Sequence, residues 1–171
     1  MRNNSEVFVC LMDMTKAFDL VRHSLLFRKL LNTGLPAIVI RILFFMYTIQ
    51  KTNVKWGDKT SNYFSITNGV KQGGVLSAIL YCFYMNGLFQ LLRKKKVGCW
   101  IQGMFCGLLG YADDTIALCP SREGLQEMMT TCEQYAASHN LQFSTNIDPK
   151  KSKTKCLAFL KKRKRFKENS T

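Results

Sequence analysis

Residues 110–116 read GYADDTI, two adjacent carboxylates set among apolar and β-branched residues. Neighbouring anions repel, and Asp is disfavoured inside a strand. Either the pair sits in a tight turn, for which Asp is a favoured residue, or something positive lies between the two charges. Taken as a hairpin, the stretch supplies two strands of a sheet. The rest of the chain must then supply their neighbours.

It does so in a regular order. EVFVCLM (6–12) is a short β-rich run ending at Asp13 and reads as a buried strand. SLLFRKLLNTG (24–34) has apolar residues at helical spacing, with Ser24 as N-cap and Gly34 beyond the C-terminus. Pro36 suits the first turn of a second helix, AIVIRILFFMYTI (37–49). NVKWGDKTSNYFSITNGV (53–70) alternates around Gly57-Asp58 and reads as a hairpin.

A long helix is expected from Ser77 to Lys94. KVGCWIQGMFCGLLGYADDTIALC (96–119) reads as strands broken by glycines. SREGLQEMMTTCEQYAASHN (121–140) opens on Ser121, with Glu123 and Glu127 near the helix N-terminus, where they suit the dipole. TKCLAFL (154–160) is a last strand. With the 53–70 hairpin set aside the order is βαββαβ. The fold class expected is therefore α+β, a split-βαβ (ferredoxin-like) antiparallel sheet with helices on one face.

The chain has 171 residues, enough for one substantial core. Its 25 Lys and Arg against 11 Asp and Glu give a net charge of +14, which favours a polyanionic partner, nucleic acid first. Ten of those cations lie between Lys150 and Lys167, a stretch without an acid, so the main body is only mildly basic. Two domains follow: residues 1–160 and a basic tail, 161–171, which serves phosphate contact or simple solubility.

Seven cysteines, an odd count with no C-x-x-C spacing, suggest neither a zinc site nor a disulfide framework. Cys10, Cys82 and Cys119 sit in apolar runs and read as small buried hydrophobes. A reducing, intracellular compartment is expected. The most apolar run, VLSAILYCFYMNGLFQLL (75–92), is interrupted by Ser77, Asn86, Gly87 and Gln90, which fits a core helix better than a bilayer span.

Three acids could converge. Asp13 ends the first strand, Asp113 and Asp114 lie in the later turn, and a split-βαβ sheet makes those strands neighbours. Acids without nearby His or Cys form an oxygen-only site, which suits Mg²⁺. Two such ions about 4 Å apart would support in-line phosphoryl transfer. A bare turn remains the alternative at this point.

Four motifs in order resemble the palm of reverse transcriptases. FVCLMDMTKAFD (8–19) is similar to the first palm motif, an Asp followed by Ala-Phe-Asp. NGVKQGGVLSAIL (68–80) resembles the second, GYADDTIAL (110–118) the third, Tyr-x-Asp-Asp, and KSKTK (151–155) the fourth. Order and spacing resemble those of retroelements lacking long terminal repeats, with group II intron enzymes as more distant cousins. Where the family usually has Pro after the serine of the second motif, this chain has Ala78. Ala is the best helix former, so the departure is benign.

The resemblance implies a polymerase palm with part of the fingers over residues 1–160. It implies that Asp13, Asp113 and Asp114 bind two Mg²⁺ ions, with Mn²⁺ as a substitute, in an RNA-directed DNA polymerase. Metal charge would then offset the repulsion between the paired aspartates. Phe18 is implied to exclude a 2′-hydroxyl, with core packing as its alternative. Gln72 and Gly73 are implied to touch the incoming nucleotide or the template. Lys153 is implied to assist departing pyrophosphate, with Lys150, Lys151 and Lys155 as rivals. Asp19 reads as a cap on the turn into the next helix.

The partners implied are an RNA template, a DNA primer and deoxynucleoside triphosphates, and no membrane. The chain begins just before the first motif and stops soon after the fourth, so fingers and thumb segments are expected to complete the protein. Two other readings stand beside this one. They are a group II intron-type maturase, and a non-catalytic basic nucleic-acid-binding remnant in which the acids are inert.

Overall fold

The computed structural model describes residues 6–146, 148 and 151–160. The basic tail and Lys150 lie outside the described residues.

Strand β1 (Val7–Met12) opens the fold, followed by helices α1 (His23–Leu31) and α2 (Ala37–Thr48). Four two-residue strands come next: β2 (Lys51–Thr52), β3 (Lys55–Trp56), β4 (Lys59–Thr60) and β5 (Phe64–Ser65). Helix α3 (Ser77–Lys95) leads to a small hairpin, β6 (Trp100–Ile101) and β7 (Met104–Phe105). Strands β8 (Leu108–Tyr111) and β9 (Asp114–Cys119), helix α4 (Arg122–Ser138) and β10 (Lys155–Phe159) complete it.

The main sheet has the order β10-β1-β9-β8, antiparallel throughout. The first strand thus lies between the last strand and the second strand of the central hairpin. Side chains alternate across the pleat. Cys10 and Met12 of β1, Thr115, Ala117 and Cys119 of β9, and Leu108 of β8 are buried. Over them lie α4, through Leu125, Met128 and Cys132, and α3, through Leu80, Tyr81, Tyr84 and Leu88. Each such Leu or Met contributes roughly 1.5–3 kcal/mol by leaving water. The opposite face leaves Leu11, Leu109, Leu157 and Phe159 exposed.

Local chemistry explains most boundaries. Ser121 caps α4 as expected, its hydroxyl accepting from the Gly124 N–H at 3.1 Å. Ser24 does not cap α1. Arg22 holds the N-cap position without a side-chain bond, because His23 already belongs to the first turn. Ser77 likewise lies inside α3 behind Leu76, and its buried hydroxyl donates to the Lys71 carbonyl at 2.5 Å. Pro36 stands just before α2 as its N-cap residue. The Gly57-Asp58 turn joins β3 to β4, and β2 pairs with β5 outside it, giving two nested hairpins. Gly57 takes a left-handed φ of 58° there.

The run 75–92 is amphipathic in place: Tyr81, Tyr84, Leu88 and Leu92 are buried, while Cys82, Asn86 and Gln90 face outward. Cys82 is therefore exposed, unlike Cys10 and Cys119, because its register on α3 falls on the solvent side. Among the described residues, no helix is long and apolar enough to cross a membrane.

Candidate active site

The Tyr111–Asp114 hairpin closes through a two-residue turn, Ala112-Asp113, with Ala112 in left-handed backbone at φ 53°. The carboxylates therefore differ in setting: Asp113 sits in the turn and Asp114 begins β9. The β1–β9 register ends at Met12 opposite Thr115. Asp13 and Asp114 are the next residues beyond that pair, one on each strand. Both line a single open cavity of about 370 Å³, together with Leu11, Ile116 and Lys153.

Beyond Met12 the chain changes partners. Met14 bridges Phe143, the Thr15 N–H donates to the Gln142 carbonyl at 2.8 Å, and the Ser144 N–H donates to the Asp13 carbonyl at 2.8 Å. The Thr154 N–H donates in turn to Ser144 at 3.1 Å, which brings the loop before β10 to the same edge. Lys153 Nζ lies 3.7 Å from Asp13 Oδ2. Both ends of this ion pair reach solvent, so it is worth about 0–1 kcal/mol in stability. Its effect is local: it places a cation against one of the two carboxylates.

Asp113 faces another neighbour. Burial first, and then the Asp113 charge, raise the phenol of Tyr81 well above its ordinary range. The buried Tyr81 hydroxyl donates to Met14 Sδ at 3.1 Å, and its ring lies 5.1 Å from that of Phe18. Tyr81 thus supports the segment after Asp13 and the Phe18 ring. Nothing in the sequence distinguishes it from the other core residues of α3. Phe18 itself is half-buried and packs against the core through this contact.

Gln72 lies elsewhere. Its Nε2 donates to Asp19 Oδ1 at 3.0 Å, and the two line a second, polar cavity of about 460 Å³ with Lys51, Thr52, Asn68 and Lys71. The Asp19 carboxylate therefore ties two loops together. Gly73 has φ 75° and open space where a Cβ would stand. Gly69 is different, since a Cβ there would lie 3.0 Å from the Asp19 carbonyl. That close approach locks the glycine loop onto the segment after β1.

The carboxylate edge thus brings together Asp13, Asp114 and Lys153, with Asp113 one residue away. Phe18 does not line the carboxylate cavity but packs on Tyr81 of the core, and Gln72 and Gly73 belong to the glycine loop. Among the described residues, no group of three or more His, Cys, Asp or Glu side chains is arranged to hold a metal ion. The two carboxylates that share the cavity form an oxygen-only donor set. That set fits a hard cation completed by water and phosphate oxygens.

Two carboxylates from adjacent strands thus stand at one edge of the main sheet, and comparison with known proteins shows the family. The family model described as "Reverse transcriptase (RNA-dependent DNA polymerase)" matches residues 1–167, and the chain belongs to that family. It is 27% identical over 161 residues to a "Retrovirus-related Pol polyprotein from type-1 retrotransposable element R2" of Nasonia vitripennis, covering 94% of this chain and 15% of that protein. The corresponding R2 polyprotein of Popillia japonica is 31% identical over 109 residues, 63% of this chain and 18% of that protein.

Among solved structures, telomerase from Candida tropicalis, complexed with a fragment of telomeric RNA, aligns with a TM-score of 0.61 at 14% identity. The alignment covers 90% of this chain and 26% of that one, and shows a shared fold. The expected kinship with reverse transcriptases of retroelements lacking long terminal repeats is borne out. The chain spans under a fifth of the length of these R2 relatives. These relatives are retrotransposon polyproteins, which favours that reading over the intron maturase.

Proposed function

We propose that this chain is the palm of a retroelement's RNA-directed DNA polymerase, adding deoxynucleotides to a primer 3′-hydroxyl on an RNA template. One observation carries the reading: Asp13 and Asp114 end adjacent strands in one open cavity beside Lys153. The sheet order β10-β1-β9-β8 supports it, because a split-βαβ palm makes the first strand and the aspartate hairpin neighbours.

Asp13, Asp113 and Asp114 would hold Mg²⁺ or Mn²⁺. When bound, two such ions lower the pKa of an attacking hydroxyl and stabilise a departing pyrophosphate. The chain's own residues do the rest. The two shared-cavity carboxylates are open to solvent, so a primer end and a triphosphate can reach them. Lys153 is held by Asp13 where it can offer charge to the leaving group. The Phe18 ring, fixed by Tyr81, fits a role in excluding a 2′-hydroxyl. Gln72 is oriented by Asp19, and Gly73 leaves its backbone open to a nucleotide or template.

The test is primer extension with the chain joined to the fingers and thumb segments of an R2-type polyprotein. Extension on RNA should require Mg²⁺ or Mn²⁺ and vanish in Asp13→Asn and in Asp114→Asn with the thermal midpoint unchanged. In the same protein Phe18→Val should raise ribonucleotide incorporation. Extension that survives both aspartate changes would overturn the proposal.

A further inference from the structure

The nested hairpins between α2 and α3 carry side chains that serve neither the core nor the carboxylate cavity. Trp56 is 85% exposed at the edge of the Gly57-Asp58 turn, and Lys59 is its cross-strand partner. Indole and ammonium therefore share one face of the ribbon. Tyr63, 72% exposed, and Phe64 follow on the returning limb. Lys51 and Lys55 are also exposed, and Asp58 is the sole acid between Gln50 and Gln72.

Burial explains none of these aromatics. Large rings interleaved with cations suit a ligand that offers both a flat π-face and a negative backbone, which is single-stranded nucleic acid. The position agrees. Lys51 and Thr52, at the base of the hairpins, line the same polar cavity as Gln72 and Asp19. The ribbon therefore begins at the wall of that cavity.

We infer that the β2–β5 double hairpin is a stacking platform for single-stranded nucleic acid. Trp56 and Tyr63 receive bases, and Lys51 and Lys59 meet phosphates. The assignment of that strand as template rests on the polymerase reading, whereas the binding itself does not.

The chain has two tryptophans, so Trp100→Phe leaves Trp56 as the only indole. Titrating this protein with a fluorescein-labelled oligouridylate of about 12 nucleotides, without metal or triphosphate, should quench Trp56 in step with the rise in anisotropy. Trp56→Ala should weaken affinity about 5- to 150-fold, the span of one lost base–aromatic stack. Lys51→Ala with Lys59→Ala should lower the slope of log affinity on log salt by about 1.4, taking about 0.7 per contact. If Trp56→Ala disturbs the fold, Trp56→Leu keeps apolar bulk without a π-face and carries the same expectation.

No quench at saturation, or unchanged affinity without the indole, overturns the platform. Asp114→Asn should leave quench and affinity as they were. Quench without primer extension would count against the polymerase reading alone, and extension without quench against the platform alone.

Discussion

Asp13 and Lys153 lie 3.7 Å apart, and that pairing sets the residue-scale behaviour of the carboxylate edge. A cation at the cavity competes with the lysine for Asp13. Lys153→Ala should therefore tighten Mn²⁺ binding, while changing unfolding free energy by no more than about 1 kcal/mol, since both partners reach solvent. Asp114→Asn should weaken Mn²⁺ binding at least about tenfold, read by calorimetry or by the paramagnetic signal of free Mn²⁺. Equal affinity in all three proteins would remove the carboxylates from the site. Asp13, Asp113 and Asp114 stand out in the sequence through the four ordered motifs, since spacing alone leaves the aspartate pair readable as a bare turn. Tyr81 does not, because a buried tyrosine on an apolar helix face looks like any other core residue until its neighbours are known.

At the scale of elements, helix caps separate what sequence can and cannot show. Ser121 precedes Arg-Glu-Gly and caps α4 through the Gly124 N–H. Ser121→Ala should cost about 1 kcal/mol in urea denaturation. Ser24 lies within the first turn of α1 with no capping bond, so Ser24→Ala should be close to neutral. Ser77 has a different role again. Its buried hydroxyl closes the glycine loop on Lys71, so the residue that resembles a cap is a clasp. A serine before an apolar run offers its oxygen to whichever backbone group lies near, and tertiary packing chooses which.

Three helices meet in a polar cluster that belongs to the whole molecule. Lys29 of α1 donates to the Tyr84 carbonyl of α3 and to the Tyr135 hydroxyl of α4, both at 2.5 Å. His139 stacks on Tyr135 with ring centroids 3.8 Å apart. Burial, and then the Lys29 charge, push His139 down to about 4, and burial pushes Lys29 down to about 8. A histidine whose folded pKa is depressed favours the fold above its unfolded value. That stability is lost as pH falls from about 6.5 to about 4. Lys29 has the same sign at higher pH, so its contribution grows from about 8 towards 10.5. Urea midpoints across acid pH should fall through the first window. Lys29→Met should raise the His139 pKa, read from its imidazole proton shifts, because a nearby positive charge is gone. An unmoved pKa would mean that burial alone holds His139 neutral.

Element order, the hairpin at the aspartates and the kinship with reverse transcriptases are legible in the sequence, because spacing, turn chemistry and four ordered motifs are local properties. The expected split-βαβ sheet already makes β1 and the aspartate hairpin neighbours. What needs the tertiary structure is that Lys153 stands against Asp13 and that Asp114 lines the cavity with it. The tertiary structure also sets Cys82 exposed and Cys10 buried, and leaves Trp56 85% exposed. The physical reason is common to all of these. Which residues touch across the sheet, and which face of a helix is covered, depends on partners far apart in the chain, and a side chain's local pattern carries no record of them.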